Sequence, residues 1–533
     1  MNSKVSLDGA DVLNIAVRHG ISQMYPDAVH AEAAQWAQRE VTADPALIDR
    51  RSMPFVTIDN EDSRDLDQAV YVSRPSGEPR QYMVHYALAD AAHFVSPASA
   101  LFHEALARGA SYYLPGVSLP MLPRVLCEDL ISLNPEVERR AMLMSIRLDD
   151  DGEVIETHFE RAKIRSRAKL SYAGVQRFYD GATDHSFSAD VAHSLALLAE
   201  IGGRRMIRAE ERDIVRYRRA ELVIKSGHSS GLFSVLTRPR FDSEKYNEQM
   251  SLLANIEGAR RLLAASQAGH RTQPIFRVHP NPGSERLEGF AALLDAMADA
   301  RGLSEAHWRW RPGGSTSLAD FLAALPEDAE AGAISKALHR QALMLNFRST
   351  YSTDPGAHYG VGAAVYGRFS APMREVVGVF THKELWEALA PNESSTQPLP
   401  ASIAADESTR ERVVEQANAA KQRQAQMTRE ANKVILDQLM GDDFRLGNRR
   451  SGTVVGLSKN KLHVSLDSPP IDVKVYYSHL GDSVRADRDF VHVRSTSTNT
   501  NICTLGDRVE LCVLGEEGSG TRHRWRLDLR RLG

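Results

Sequence analysis

The run TIDNEDSRDLDQAVYV, Thr57–Val72, gathers the residues best able to do chemistry. A short apolar strand ends and releases Asp59, Asp65 and Asp67, with Glu61 and Asp62 between them, before a second strand begins at Ala69. Carboxylates this close repel one another, and burying them unpaired is costly. A hard divalent cation removes that penalty, because Mg²⁺ takes oxygen ligands and keeps waters for phosphates. Two such cations about 3.5–4 Å apart clamp the attacking and leaving oxygens of a phosphodiester. Spacing alone leaves a solvated acidic turn open as the other reading. An EF-hand loop is excluded: counted from Asp59, its Gly falls on Arg64 and its closing Glu on Val70. The run GHSSG, Gly227–Gly231, fits Gly-x-Ser-x-Gly, but the flanking LVIK and LFSVLT both read as strand. A nucleophile elbow needs a strand-to-helix turn, so a serine hydrolase is not the reading. No Gly-x-x-x-x-Gly-Lys phosphate loop and no His-Glu-x-x-His zinc motif occur.

The elements that must position these acids are short β-type runs, PFVTI, AVYV and QYMVHYAL, split by turn residues. Two helices precede them in the first fifty residues, around Pro26. A Pro-rich loop, Leu114–Pro123, leads to MLMSIRL, a further strand. Helical periodicity then covers Asp190–Ile201, Lys245–Ala268, Ser284–Arg301 and Ala331–Leu345, and returns between Gly378 and Met440 around a polar break. The last ninety residues change character: TVVGLS, KLHVSL, DVKVYY, RVELCVL and HRWRLDL have the spacing of a small five-stranded barrel such as an OB-fold.

Composition sets the frame. The 533 residues suit two to four domains. With 42% hydrophobic and 25% charged residues the chain is globular, and no apolar run is long enough to cross a membrane. Three cysteines make no disulfide framework, which with the absence of a leader pattern points to the cytoplasm. The net charge of −4 hides an asymmetry: from Phe444 onward 15 Lys and Arg face 10 Asp and Glu, a net +5, leaving −9 elsewhere. A basic module on an acidic body suits a polyanion held by one part and processed by another.

FVTIDNEDSRDLDQAVYV is similar to the aspartate signature of the ribonuclease II / ribonuclease R (RNB) exoribonuclease family. YMVHYALADAAHFV, the Pro-rich stretch Arg108–Pro135, AKLSYAGV, NEQMSLLAN, FRVHPNP and HYGVGAAVYGRFSAPMR follow in that family's order. The resemblance runs from about Tyr25 to Thr381, and the C-terminal barrel resembles the family's S1-type RNA-binding domain.

It implies a metal-dependent 3′→5′ exoribonuclease that hydrolyses single-stranded RNA to nucleoside 5′-monophosphates, with Mg²⁺ as cofactor and Mn²⁺ as a substitute. By the same resemblance Asp59, Asp65, Asp67 and Gln68 take the metal positions, Gln68 standing where the family has a fourth aspartate. Asp67 and Arg374 are the catalytic pair, the arginine stabilising charge at the scissile phosphate, which guanidinium forks suit. A surface salt bridge or a helix-end cation is the plain reading of Arg374. Tyr113 matches an aromatic that seats the 3′-terminal base, or else packs the Pro-rich loop. Tyr172 and Glu248 match residues that select ribose, and Glu430 matches a further acid near the active site. His279 and His358 fit the family pattern, though loop histidines are more often structural. Glu375, Val376 and Gly378 depart from the basic, aromatic and acidic residues that follow the family's arginine.

The expected architecture is α+β and multidomain: a helical lead-in at 1–50, a mixed α/β RNB-type catalytic domain with a helical extension at 51–440, and an S1-like OB-fold barrel at 444–533. Only the lead-in precedes the catalytic part, where the family often has cold-shock-type barrels. The barrel cations Arg449, Arg450, Lys459, Lys461, Arg522 and Arg524 are expected to neutralise phosphates, and Trp525 either stacks on a base or fills the barrel core. The expected partner is single-stranded RNA, bound by a monomer without membrane or protein partner. A catalytically weakened or inactive RNA-binding protein of the same fold is the alternative, with Gln68 and the altered stretch after Arg374 in its favour.

Overall fold

The computed structural model describes residues 3–6, 9–183, 185–210, 221–226, 232–238, 240–328, 331–389, 400–481, 483–518 and 524–532. The GHSSG run lies outside them. Among the described residues no helix is long and apolar enough to cross a membrane, and Cys127, Cys503 and Cys512 are free thiols.

A seven-stranded mixed sheet organises the main body. Its spatial order is Ala168–Ser171, Val56–Asp59, Gln68–Ser73, Tyr82–Ala89, Glu138–Leu148, Val154–Arg165 and Ile48–Asp49. The pairing is antiparallel through the middle and parallel at both edges, where Ala168–Ser171 joins Val56–Asp59 and Ile48–Asp49 joins Val154–Arg165. Side chains along a strand alternate between faces, and here both faces are apolar. Ala69, Ala87, Ala89, Ala141 and Leu143 meet one core with Phe102, Leu126, Val376 and Phe380. Val70, Tyr86, Leu88, Met142 and Met144 meet the other with Leu195, Met250, Leu253 and Phe369. The central strands are therefore buried on both sides, which is why QYMVHYAL reads as a near-continuous apolar run.

The helices fall close to their expected places. Ser284–Arg301 matches the expected span, and Asp242–Gln267 and Ala331–Leu343 differ only at their ends. The first fifty residues hold the helices Gly9–Arg18 and Asp27–Ala37, together with two short strands, Ser3–Ser6 and Ile48–Asp49. The longest element is the 47-residue helix Pro400–Leu446. It passes so close to Gly109 that a Cβ there would sit 2.7 Å from the Gln416 carbonyl, and Gly109 also has φ +75°. Only glycine meets both demands.

The C-terminal module is an OB-type unit. Five strands, Asp472–Tyr476, Lys461–Leu466, Arg449–Leu457, Arg508–Glu517 and Arg524–Arg531, form one sheet in that order, and its two outer strands lie against each other. A second sheet of Val484–Ala486, His492–Ser495 and Asn501–Thr504 escaped the sequence reading. These strands are three or four residues long, too short to show alternation. The module is tied to the body by Arg301 on Asp507 at 2.7 Å and by Gln341 on the Val455 carbonyl at 2.6 Å.

Candidate active site

The acidic run is an ordered loop between the Val56–Asp59 and Gln68–Ser73 strands. Buried Ser132 pins it: its hydroxyl accepts from Leu66 N–H at 2.9 Å and donates to the Arg64 carbonyl at 2.8 Å. Lys169 donates to the Glu61 carbonyl at 2.8 Å and also to that of Ser63. Asp59 closes its strand opposite Ser171. Its Oδ1 accepts from Asn60 N–H at 2.7 Å and from Ser63 Oγ at 2.9 Å, while Oδ2 has no hydrogen-bond partner among the described residues.

Asp67 is only 2% exposed. One oxygen accepts from Met373 N–H at 3.0 Å and the other pairs with Nε of Arg374. Burial pushes the Asp67 carboxyl up to about 6; Arg374 opposes this and Asp65 adds to it. Arg374 keeps its terminal N–H groups without a protein acceptor among the described residues. Asp65 accepts from the Tyr113 hydroxyl at 3.2 Å. Burial raises Asp65 too, with Arg374 lowering it and the charge of Asp59 raising it.

A pocket of about 310 Å³ opens here, lined by Asp59, Asp67, Gln68, Tyr172, Arg240, Asn247, Glu248, Ser251, Arg368, Ser370 and Arg374, among others. The structure thus brings Asp59, Asp67, Gln68, Tyr172, Glu248 and Arg374 together around one cavity, with Asp65 and Tyr113 joined at its side. Burial raises the Tyr172 hydroxyl to about 12, so it stays a neutral group, bonded to Asn247 at 3.3 Å. Glu248 is exposed and paired with Arg240 at 3.2 Å. Tyr113 is 47% exposed, and Gln424 holds its backbone through both the N–H and the C=O.

Two expected residues behave differently. Glu430 does not line the pocket: it pairs with Arg18 at 2.9 Å and His19 at 2.7 Å, fastening the long helix to the first one. Gln68 lines it with its amide engaged by neighbours. Its oxygen accepts from the hydroxyls of Tyr86 and Ser251, which lie 2.6 Å from each other and so approach it from one side, and its nitrogen donates to the Ser370 carbonyl.

The donor chemistry decides how a metal would fit. Among the described residues no three His, Cys, Asp or Glu side chains converge on one point. The charge of Asp59 raises the Asp65 carboxyl, so the two acids are close enough to repel. Carboxylate oxygens of this kind suit a hard cation completed by water, and Asp59 and Asp67 share the pocket wall.

The neighbours that hold this arrangement were mostly missed. Asn247, Ser251 and Asn255 lie four residues apart on Asp242–Gln267, hence on one helix face. Asn255 accepts from the Phe369 and Ser370 N–H groups at 2.6 and 3.0 Å and donates to Tyr366 and Ser370 at 2.9 Å. The spacing Asn-x₃-Ser-x₃-Asn inside NEQMSLLAN was the available signal. Arg368 and Ser132 gave none, because their partners are distant in sequence.

The barrel cations are less available than expected. Arg449 pairs with Glu510, Arg450 with Asp443 and Arg524 with Glu517, while Lys461 lies 5.8 Å from the Tyr476 ring centre. Arg522 lies outside the described residues. Trp525 fills the barrel core at 9% exposure, its indole N–H donating to Asp437 at 3.2 Å, so it does not present a face to a base.

This sheet, with its aspartate loop and paired arginine, is a mixed α/β domain with an acidic pocket, and sequence comparison places it in a family. The RNB domain family matches residues 48–391, and the chain belongs to that family. It is 28% identical over 515 residues to ribonuclease R of Escherichia coli, covering 94% of this chain and 60% of that protein. It is 29% identical over 388 residues to exoribonuclease 2 of Cronobacter sakazakii, covering 72% of this chain and 55% of that one. The chain therefore spans a little over half the length of these relatives. Its fold matches Mycoplasma genitalium RNase R in complex with ribose-methylated single-stranded RNA, with a TM-score of 0.81 at 21% identity over 94% of this chain and 75% of that one.

Proposed function

We propose that this chain is a metal-dependent 3′→5′ exoribonuclease that hydrolyses single-stranded RNA to nucleoside 5′-monophosphates, acting as a cytoplasmic monomer. The observation that carries the reading is buried Asp67, anchored by Met373 N–H and Arg374 on the wall of a pocket shared with Asp59. Asp59, Asp65 and Asp67 are the residues that would hold Mg²⁺, or Mn²⁺ in its place. That cation supplies an activated water and a Lewis acid for the phosphate.

The chain's own groups do the rest. Asp67 fixes Arg374 through Nε, so the terminal N–H pair of the guanidinium faces the pocket, where it takes charge developing on the phosphate. The exposed Tyr113 ring offers a stacking face for the terminal base, at a sequence-tolerant ~1–3 kcal/mol. Tyr172 and Glu248 stand within the same cavity as groups able to read a 2′-hydroxyl. The relatives' names and the RNA bound by the Mycoplasma protein support the substrate class.

The test is a 5′-labelled single-stranded RNA incubated with purified protein and Mg²⁺ or EDTA, resolved at single-nucleotide steps. A Mg²⁺-dependent ladder shortening from the 3′ end with mononucleotide release is expected. Intact but gel-shifted RNA in Mg²⁺ would mean a binding protein instead.

A further inference from the structure

Arg374 is not the only guanidinium at this pocket. Arg368 lines it too, six residues earlier on the same segment. Its Nε donates to Glu375 at 2.7 Å, and the other Glu375 oxygen accepts from the Tyr351 hydroxyl. The design repeats that of Arg374 on Asp67: a carboxylate anchors Nε and leaves the terminal N–H pair without a protein acceptor among the described residues. Burial alone would raise Glu375, yet Arg368 and Tyr351 hold it down at about 2, so the anchor stays charged.

The segment that carries both arginines is rigid. Asn255 accepts from its Phe369 and Ser370 N–H groups, and Phe369 lies so tight on helix Asp242–Gln267 that a Cβ at Gly258 would come within 2.6 Å of its ring. Such fixed donors gain the most when a charge arrives, because little reorganisation remains. Gln68 on the pocket wall is neutral, its amide engaged by Tyr86, Ser251 and Ser370.

We propose that Arg368 is a second phosphate-contacting residue of this site, taking a non-bridging phosphate oxygen beside Arg374. The single-stranded RNA reading above underlies this. The fixed guanidinium of Arg368 then adds positive charge beside Arg374 at the pocket wall.

The experiment measures binding of the full chain in EDTA, where hydrolysis does not interfere. The probes are a 5′-labelled oligoadenylate and a set carrying one neutral methylphosphonate at successive linkages near the 3′ end. Arg368→Gln is expected to weaken binding by about tenfold. It should also reduce the slope of log affinity against log salt by about 0.7, one phosphate contact on a single strand. One methylphosphonate position should weaken the wild type similarly and leave Arg368→Gln unaffected. Because Arg368→Gln orphans Glu375, the double variant Arg368→Gln/Glu375→Gln and the charge-keeping Arg368→Lys are measured beside it, each with a thermal melt. Equal affinity and slope for wild type and the folded variants would overturn the assignment, as would methylphosphonate losses that are the same in both. A wild type that binds no RNA overturns the RNA reading itself, and this inference with it.

Discussion

The hydroxyl of Tyr86 ends on the amide oxygen of Gln68, and the Ser251 hydroxyl lies 2.9 Å from the same oxygen and 2.6 Å from that of Tyr86. Position 68, which heads a strand at the pocket wall, is thereby a structural node. Tyr86 is fully buried, and its hydroxyl has the Gln68 oxygen and the Ser251 hydroxyl as partners. Gln68→Leu removes the acceptor that both hydroxyls share and should cost about 1–3 kcal/mol. Urea unfolding followed by fluorescence would read it; an unchanged midpoint would show that Tyr86 finds another partner.

Asp67→Asn and Arg374→Ala should both leave RNA bound and uncut. For Arg374→Ala a loss of roughly 10²–10³-fold in turnover is expected, the scale for removing one preorganised donor. Single-turnover decay of labelled RNA, with gel shifts in parallel, checks this. Loss of binding along with cutting would mean that the pair holds the fold instead.

The rate should also follow the ionisation of Asp67. Burial raises its carboxyl to about 6 in the metal-free chain, so there the anion that holds Arg374 is present above that pH and lost below it, and a bound cation would shift the loss to lower pH. Single-turnover rates should fall about tenfold per unit below pH 6 and level off above it, in a series from pH 5 to 8. A flat profile across that range would remove Asp67 ionisation from the chemistry.

Tyr113→Ala should leave stability unchanged, because the ring is half exposed, while weakening the hold on the terminal base. The expected loss is about 1–3 kcal/mol, with longer final fragments on the gel. Tyr113→Phe, which keeps the ring and drops the bond to Asp65, should retain the wild-type fragment length.

Trp525→Ala should behave in the opposite way. The ring is part of the barrel core, over Gly441 of the long helix, and truncation should cost about 3–5 kcal/mol. Thermal unfolding of the full chain would show the barrel melting early. A stable variant with reduced RNA affinity would restore the stacking role.

Much of this was legible in the sequence where local composition is strong. The run QYMVHYAL reads as strand through its aromatic and apolar content, and Ser284–Arg301 as helix through its Ala, Leu, Glu and Arg content between Gly283 and Gly302. The aspartate loop was legible as chemistry but not as geometry: the partners of the Gln68 amide are Tyr86, Ser251 and Ser370, three segments that meet only in the fold. Glu430 and Trp525 show the same limit. Their residue types suit an active-site acid and a stacking platform, and their neighbours Arg18, His19 and Asp437 assign them to packing.

One helix reaches both ends of the molecule's working surface. Within Pro400–Leu446, Gln424 grips the backbone of Tyr113, and Asp437 holds Trp525 in the barrel. Thirteen residues of helix separate those two grips by about 20 Å, a distance that ordinary thermal motion cannot change much. The helix therefore serves as a ruler. On the proposed reading, an RNA too short to span from the Tyr113 ring to the barrel would let go of one of them, so its hold should slacken at a fixed fragment length set by protein geometry rather than by nucleotide sequence.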